Sequence, residues 1–101
     1  MTKLKEYEVT ITEEAEADLR DIYDYIFAAF SRETADRIRR RLESEMLSLG
    51  KLPKRQRTFY RRFRRLLVGS SQMIYVVEDN EVIIKGIFHI SMDIVSRLRE
   101  R

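Results

Sequence analysis

The sequence predicts an α+β domain of the α/β class, with an N-terminal edge strand, an α-helical hairpin, a three-stranded antiparallel meander and a short C-terminal helix. Three observations carry this expectation. Residues 61–89 (RRFRRLLVGSSQMIYVVEDNEVIIKGIFH) hold three strand-like runs separated by Gly69-Ser70-Ser71 and Asp79-Asn80, turns too short for anything but antiparallel neighbours. Residues 13–49 instead repeat apolar side chains every three or four positions, the period of a helix. A chain of 101 residues has room for one core between a sheet and a helical layer, hence a single domain over 1–101.

Taken in order, Tyr7, Val9 and Ile11 alternate with Glu8 and Thr10, which describes a strand with one buried face at the edge of a sheet. Thr12 offers an N-cap oxygen to a helix over about residues 13–30, with Glu13, Glu14 and Asp18 near the positive end of its dipole. Its stripe is Ala15, Leu19, Ile22 and Ile26, widened by Tyr23, Phe27 and Phe30. Ser31 caps a second helix carrying Ala35, Ile38, Leu42, Met46 and Leu49 and closing at Gly50. Arg37, Arg39, Arg40 and Arg41, with Glu43 and Glu45 further on, read as its solvated face. Pro53 cannot continue the helix, and Lys51 to Thr58 reads as an exposed connection.

Within the meander, Gln72 to Glu78 is apolar on nearly every residue, as in a strand covered on both faces at the centre of a sheet. After it, Ser91 offers a cap, Asp93 lies in a first turn, and Ile94, Val95 and Leu98 share a face. This describes a tail helix of at most three turns that must pack on the sheet or on a partner. One sheet face takes the helical hairpin; the other is expected to be more polar and to present functional side chains.

Composition narrows the function. With no Cys and one His, disulfides, thiol chemistry and a protein-built zinc or iron site are not expected, and no cofactor is predicted. No apolar run nears the roughly 20 residues of a membrane span, and MTKLKEYEV lacks the apolar core of a signal peptide, so a cytoplasmic protein without membrane contact is expected. The net charge of +3 hides an asymmetry: residues 1–50 carry twelve acids against eight bases, and residues 51–101 five acids against twelve bases. Eight of those bases fall between Lys51 and Arg65 with no acid among them, which favours an anionic partner.

Several features together resemble the RelE/ParE superfamily of toxins from bacterial type II toxin–antitoxin modules. They are the order of elements, Pro53 after the second helix, Arg65-Leu66-Leu67-Val68-Gly69 leading into Met73-Ile74-Tyr75, and Val82-Ile83-Ile84 ending at Ile87-Phe88-His89. The resemblance covers essentially the whole chain, and His89 followed by Asp93-Ile94 and a Leu-containing tail places it nearer the ParE-like branch. It implies a growth-arresting toxin, of a kind tied to plasmid stabilisation, with a cognate antitoxin as partner. The antitoxin would dock on the basic stretch and on exposed apolar groups of the helical hairpin.

The superfamily divides into RelE-like toxins that cleave mRNA on the ribosome and ParE-like toxins that poison DNA gyrase. Cleaving RNA without a metal requires activating the 2′-hydroxyl, neutralising a phosphorane and protonating the leaving oxygen. Where RelE-like proteins carry an Arg before the central strand this chain has Gln72; Ile90 follows His89, and the late Tyr position falls near Ser96. The reading is therefore a ParE-like toxin that inhibits DNA gyrase by binding, through Arg61, Arg62, Arg64 and Arg65 together with Arg97 and Arg99. The alternative is a ribosome-dependent mRNA endonuclease using Arg65, Lys85 and His89 with Arg62, and a third reading is an inactive, antitoxin-binding relic of the fold. Lys85 and His89, four residues apart on one strand, are expected on one face about 13 Å apart at roughly 3.3 Å per residue, too far to act jointly on one phosphate. An isolated strand-end His is read first as a structural residue, Tyr75 as core, and Tyr60 with Phe59 and Phe63 as anchors of the basic loop.

Overall fold

The computed structural model describes residues 6–101; the first part of the signal-peptide reading lies outside the described residues. The elements are β1 (Glu8–Ile11), α1 (Glu13–Ala29), α2 (Arg32–Ser48), a 3-10 turn (Pro53–Arg55), β2 (Thr58–Tyr60), β3 (Phe63–Val68), β4 (Ser71–Glu78), β5 (Glu81–His89) and α3 (Val95–Leu98). They form one five-stranded sheet in the order β1-β5-β4-β3-β2. The expected architecture holds: β1 lies at an edge, paired in parallel with β5, and the meander β3-β4-β5 is antiparallel with β4 at the centre.

Local chemistry sets the helix ends. Thr12 Oγ1 accepts the Ala15 N–H at 3.2 Å and Ser31 Oγ accepts the Thr34 N–H at 3.1 Å, each satisfying a donor that the first turn leaves free. Tyr23 Oη donates to Asp36 Oδ1 at 2.7 Å and joins α1 to α2; this bond pushes the phenol pKa up. The buried stripe of α1 is narrower than its periodicity suggests, for Phe27 is 49% exposed and Phe30 72%. The fully buried residues of α1 are Ala15 and Leu19.

The hairpin covers one sheet face with a core of Ala15, Leu19, Leu42, Met46, Met73, Tyr75, Val82, Ile84 and Ile87. Contrary to expectation, the opposite face is not polar. Phe63, Ile74, Val76 and Phe88 form a second apolar cluster there, which Ile94 and Leu98 cover. β4 is thus buried on both faces because the tail, and not solvent, occupies the second.

Two further expectations are corrected in part. The connection from Lys51 to Thr58 is exposed as expected at Lys51, Lys54, Arg55 and Arg57, but Pro53 is buried, its carbonyl accepts from Tyr75 Oη at 2.6 Å, and β2 folds back on β3 as a hairpin. Burial also pushes the Tyr75 phenol pKa up, against the lowering influence of Arg64 and Arg55. The tail helix is a single turn whose cap position is Ile94. Ser91 is spent elsewhere, its hydroxyl 2.7 Å from His89 Nδ1, while Asp93 Oδ1 accepts the Val95 N–H at 3.3 Å.

So short a helix needs a fastening, and it has one. Arg101 Nη1 donates to Asp18 Oδ2 on α1 at 2.7 Å and to the Lys85 carbonyl at 3.0 Å, and its guanidinium lies over the Phe88 ring at 5.0 Å. Asp18 Oδ2 also accepts the Ile87 N–H at 3.1 Å, closing the edge of β5 where β1 has ended. Gly86 gives the room: a Cβ there would stand 2.5 Å from the Phe88 ring and 2.8 Å from Arg101 Nη1.

Candidate functional site

The β2–β3 hairpin presents the basic run on an aromatic platform. Arg61, at the tip, takes φ 50, a left-handed conformation that an Arg rarely adopts. Its guanidinium lies 5.2 Å from the Tyr60 ring centroid, and Tyr60 stacks on the buried Phe63 at 6.1 Å with 7° between the planes. Arg65 lies over Phe59 at 4.6 Å, with Nη1 3.4 Å from Gln72 Oε1. These rings anchor the hairpin to the sheet, as expected, and also hold two cations in place.

The other two arginines of the run differ. Arg62 is paired with Glu78 in an exposed ion pair. Arg64 points to the helical side of the sheet, where Nη1 donates to the Gln56 carbonyl at 2.5 Å and the Lys54 carbonyl at 3.4 Å, fastening the 3-10 turn. On the tail, Arg97 lies over Phe88 at 5.9 Å and Arg99 is exposed. Of the six arginines assigned to binding, then, Arg61, Arg65, Arg97 and Arg99 are free of ion pairs among the described residues and are exposed.

The residues assigned to the nuclease alternative do not all share a face: Arg65 pairs with Ile74 and lies on the tail side of the sheet. Register slips between Ile74 and Tyr75, which pair with Gly86 and Ile84, so Lys85 is an extra residue on β5. A bulge of one residue reverses the inside–outside alternation beyond it. Val82 and Ile84 before it, and Ile87 after it, all pack toward the hairpin, the last pair standing three positions apart instead of two. Lys85 and His89 are therefore not on one face, which corrects the expectation from their spacing. Lys85 Nζ donates to the Arg101 carbonyl at 3.4 Å on the tail side. His89 borders the helical side, where its Nδ1 accepts the Ser91 N–H at 3.1 Å, a strand-end bond of structural type. Gln72 is buried, and its Nε2 donates to the carbonyls of His89 at 2.9 Å and Met92 at 3.1 Å, so it ties down the turn into the tail.

A second feature has no counterpart in the sequence reading beyond the notion of exposed hairpin apolars. Between α1, α2, the β3–β4 turn and the end of β5 lies an open groove of about 850 Å³. Tyr25 and Phe30, 70% and 72% exposed, stand at its rim, and Ile22, Ile26, Val68 and Ile87 lie deeper. Arg37, Arg41 and Arg97 bring cations to it, with Asp18 and Asp21 as its acids. Asp18 is already bound by Arg101, so the uncompensated balance is positive. Arg41 lies against Gly69 at the β3–β4 turn, where Gly supplies the positive φ of 58. The α2 arginines are exposed, as expected, with Arg39 paired to Glu43 at 2.9 Å, and Arg37 and Arg41 also border the groove.

Among the described residues no cluster of three or more metal-ligating side chains occurs, and no helix is long and apolar enough to cross a membrane. Residues 9–94 match the family described as "ParE toxin of type II toxin-antitoxin system, parDE". No curated protein matches the chain. Among solved structures, the chromosomal ParDE toxin–antitoxin system from P. aeruginosa is similar with a TM-score of 0.77 at 19% identity, covering 84% of this chain and 97% of that one. The toxin–antitoxin complex RelBE2 from Mycobacterium tuberculosis gives 0.60 at 21% identity, covering 88% and 97%. The archaeal RelE–RelB complex from Pyrococcus horikoshii OT3 gives 0.61 at 15%, covering 86% and 98%.

Proposed function

Because the chain belongs to the ParE toxin family of type II toxin–antitoxin systems, we propose that it is a toxin acting by binding, with DNA gyrase as its target and a cognate antitoxin as its inhibitor. The observation that supports binding over bond-breaking is the separation of His89 from Lys85 and Arg65, which lie on the other face of the sheet. The bulge at Lys85 turns its ammonium to the tail, while His89 faces the hairpin with Nδ1 engaged by Ser91. A phosphorane needs its cations and its proton donor around one phosphate, and these side chains do not surround one. The presented surface is Arg61 and Arg65 on their rings, with Arg97 and Arg99 on the tail.

The groove is the seat assigned to the antitoxin. An amphipathic segment would lay apolar side chains against Tyr25, Phe30 and Ile26 and carboxylates beside Arg37, Arg41 and Arg97. The cytoplasm, where both gyrase and a small antitoxin are found, is the proposed location.

Induced expression of the chain alone in a bacterial host tests the reading. Growth arrest with cleaved DNA held on gyrase and intact mRNA is the expected result. New translation-dependent mRNA ends would make it a RelE-like nuclease, and unimpeded growth with folded protein would make it an antitoxin-binding relic.

A further inference from the structure

We propose that the segment from Lys51 to Arg65 is a nucleic-acid contact surface, which grips the sugar–phosphate backbone directly. The inference deepens the reading above, because it rests on the hairpin facing the target and assigns it a ligand. Of the eight bases in this segment, Arg62 is neutralised by Glu78 and Arg64 is committed to backbone carbonyls. Lys51, Lys54, Arg55, Arg57, Arg61 and Arg65 are all exposed, and none is in an ion pair among the described residues.

Six uncompensated cations on so short a module repel one another in the free protein, and that repulsion is relieved by a ligand with closely spaced negative charges. A nucleic-acid backbone is such a ligand. The rings add a second argument. Arg61 and Arg65 rest on Tyr60 and Phe59 at 5.2 Å and 4.6 Å, so their guanidiniums are ordered before any ligand arrives and leave an outer plane on which a base can stack. A third is position: Arg61 lies in the turn between β2 and β3, so its guanidinium is presented at the tip of the hairpin.

The test is fluorescence anisotropy of the full chain with labelled 20-mers of one mixed sequence, as single-stranded DNA, single-stranded RNA and duplex DNA, from 50 to 200 mM salt. Six phosphate contacts give a log–log salt slope of about −4 for a single strand and about −5 for a duplex, a loss of roughly 250-fold to 1,000-fold over that range. The three arms tell which strand form is preferred. Arg61→Gly with Arg65→Gln lowers the slope by about 1.5, whereas Arg40→Gln, on the exposed face of α2, leaves it unchanged. Arg61→Gly alone weakens binding without lowering the thermal midpoint, which a merely structural role for the tip does not allow.

Absence of salt-dependent binding in all three arms overturns the proposal. So does an Arg40→Gln effect equal to that of the hairpin pair, or equal affinity for polyglutamate of matched charge. Gyrase trapping by a chain that binds no nucleic acid would refute this inference and leave the gyrase reading intact. Hairpin-dependent binding by a chain that does not trap gyrase would do the reverse.

Discussion

Replacing Asp18 by Ala should unfasten the tail from the sheet. The Asp18 and Arg101 side chains are 15% and 17% exposed, so the pair is largely out of water. The carboxylate holds three donors: Arg101 Nη1 at 2.7 Å, Arg101 Nη2 at 3.4 Å and the Ile87 N–H at 3.1 Å. The short contact and the backbone bond, each to a charged acceptor, contribute roughly 1.5–3 kcal/mol apiece. Breaking a buried pair from one side costs about 3–5 kcal/mol. Residual exposure and the long Nη2 contact reduce this, leaving an expected loss of about 2–4 kcal/mol, or at least about 10 °C in thermal midpoint for a chain of this size. Urea unfolding of Asp18→Ala, Arg101→Ala and the double variant measures it, and the cycle should show a coupling of about 1 kcal/mol or more. Gly86→Ala should act on the same fastening, its methyl displacing the Phe88 ring and Arg101 at a cost of about 1–3 kcal/mol. A loss under about 0.5 kcal/mol for Asp18→Ala, or an additive cycle, would refute the fastening.

Further outcomes follow from the same geometry. The raised Tyr75 pKa means that the unfolded chain releases this proton first, so stability should fall as pH rises above about 10, and Tyr75→Phe should flatten that part of the profile. The same change strands the Pro53 carbonyl and should cost about 1–3 kcal/mol in urea unfolding at neutral pH. Gln72→Ala removes the donor that ties His89 and Met92, and hydrogen exchange should report lost protection at Leu98 and Arg99 with β4 still protected. Phe30→Ser, at a side chain 72% exposed, should leave stability unchanged while weakening the cognate antitoxin by roughly tenfold or more in calorimetry.

Much of the fold is legible because its determinants are local. The period of Ala15, Leu19, Ile22 and Ile26, the caps Thr12 and Ser31, and the short turns of the meander each specify their element without knowledge of its neighbours. What escapes the sequence is non-local or one residue out of phase. Asp18 meets Arg101 across 83 positions, and nothing in either neighbourhood marks the pairing. The bulge at Lys85 did leave a trace: Gly86 inside a strand, and two residues instead of one between Ile84 and Ile87. Treating β5 as unbroken is what puts Lys85 and His89 on one face.

The tail appears longer in sequence because Ser91 and Asp93 suit a cap, yet their groups close local turns at His89 and Val95 instead. β2 is hidden by its brevity among arginines. For the candidate site, the basic run was visible as charge, but its division into presented, paired and committed guanidiniums depends on which carbonyls and rings lie nearby. The groove joins residues from five parts of the chain and has no sequence pattern of its own.

The most direct test of the central claim is reconstitution: purified chain with DNA gyrase and relaxed plasmid, and in parallel with translating ribosomes on a defined mRNA. Loss of supercoiling with accumulation of cleaved DNA, abolished by Arg61→Gly with Arg65→Gln and untouched by His89→Ala, is the predicted result. Undisturbed gyrase alongside mRNA cleavage that His89→Ala removes would contradict it.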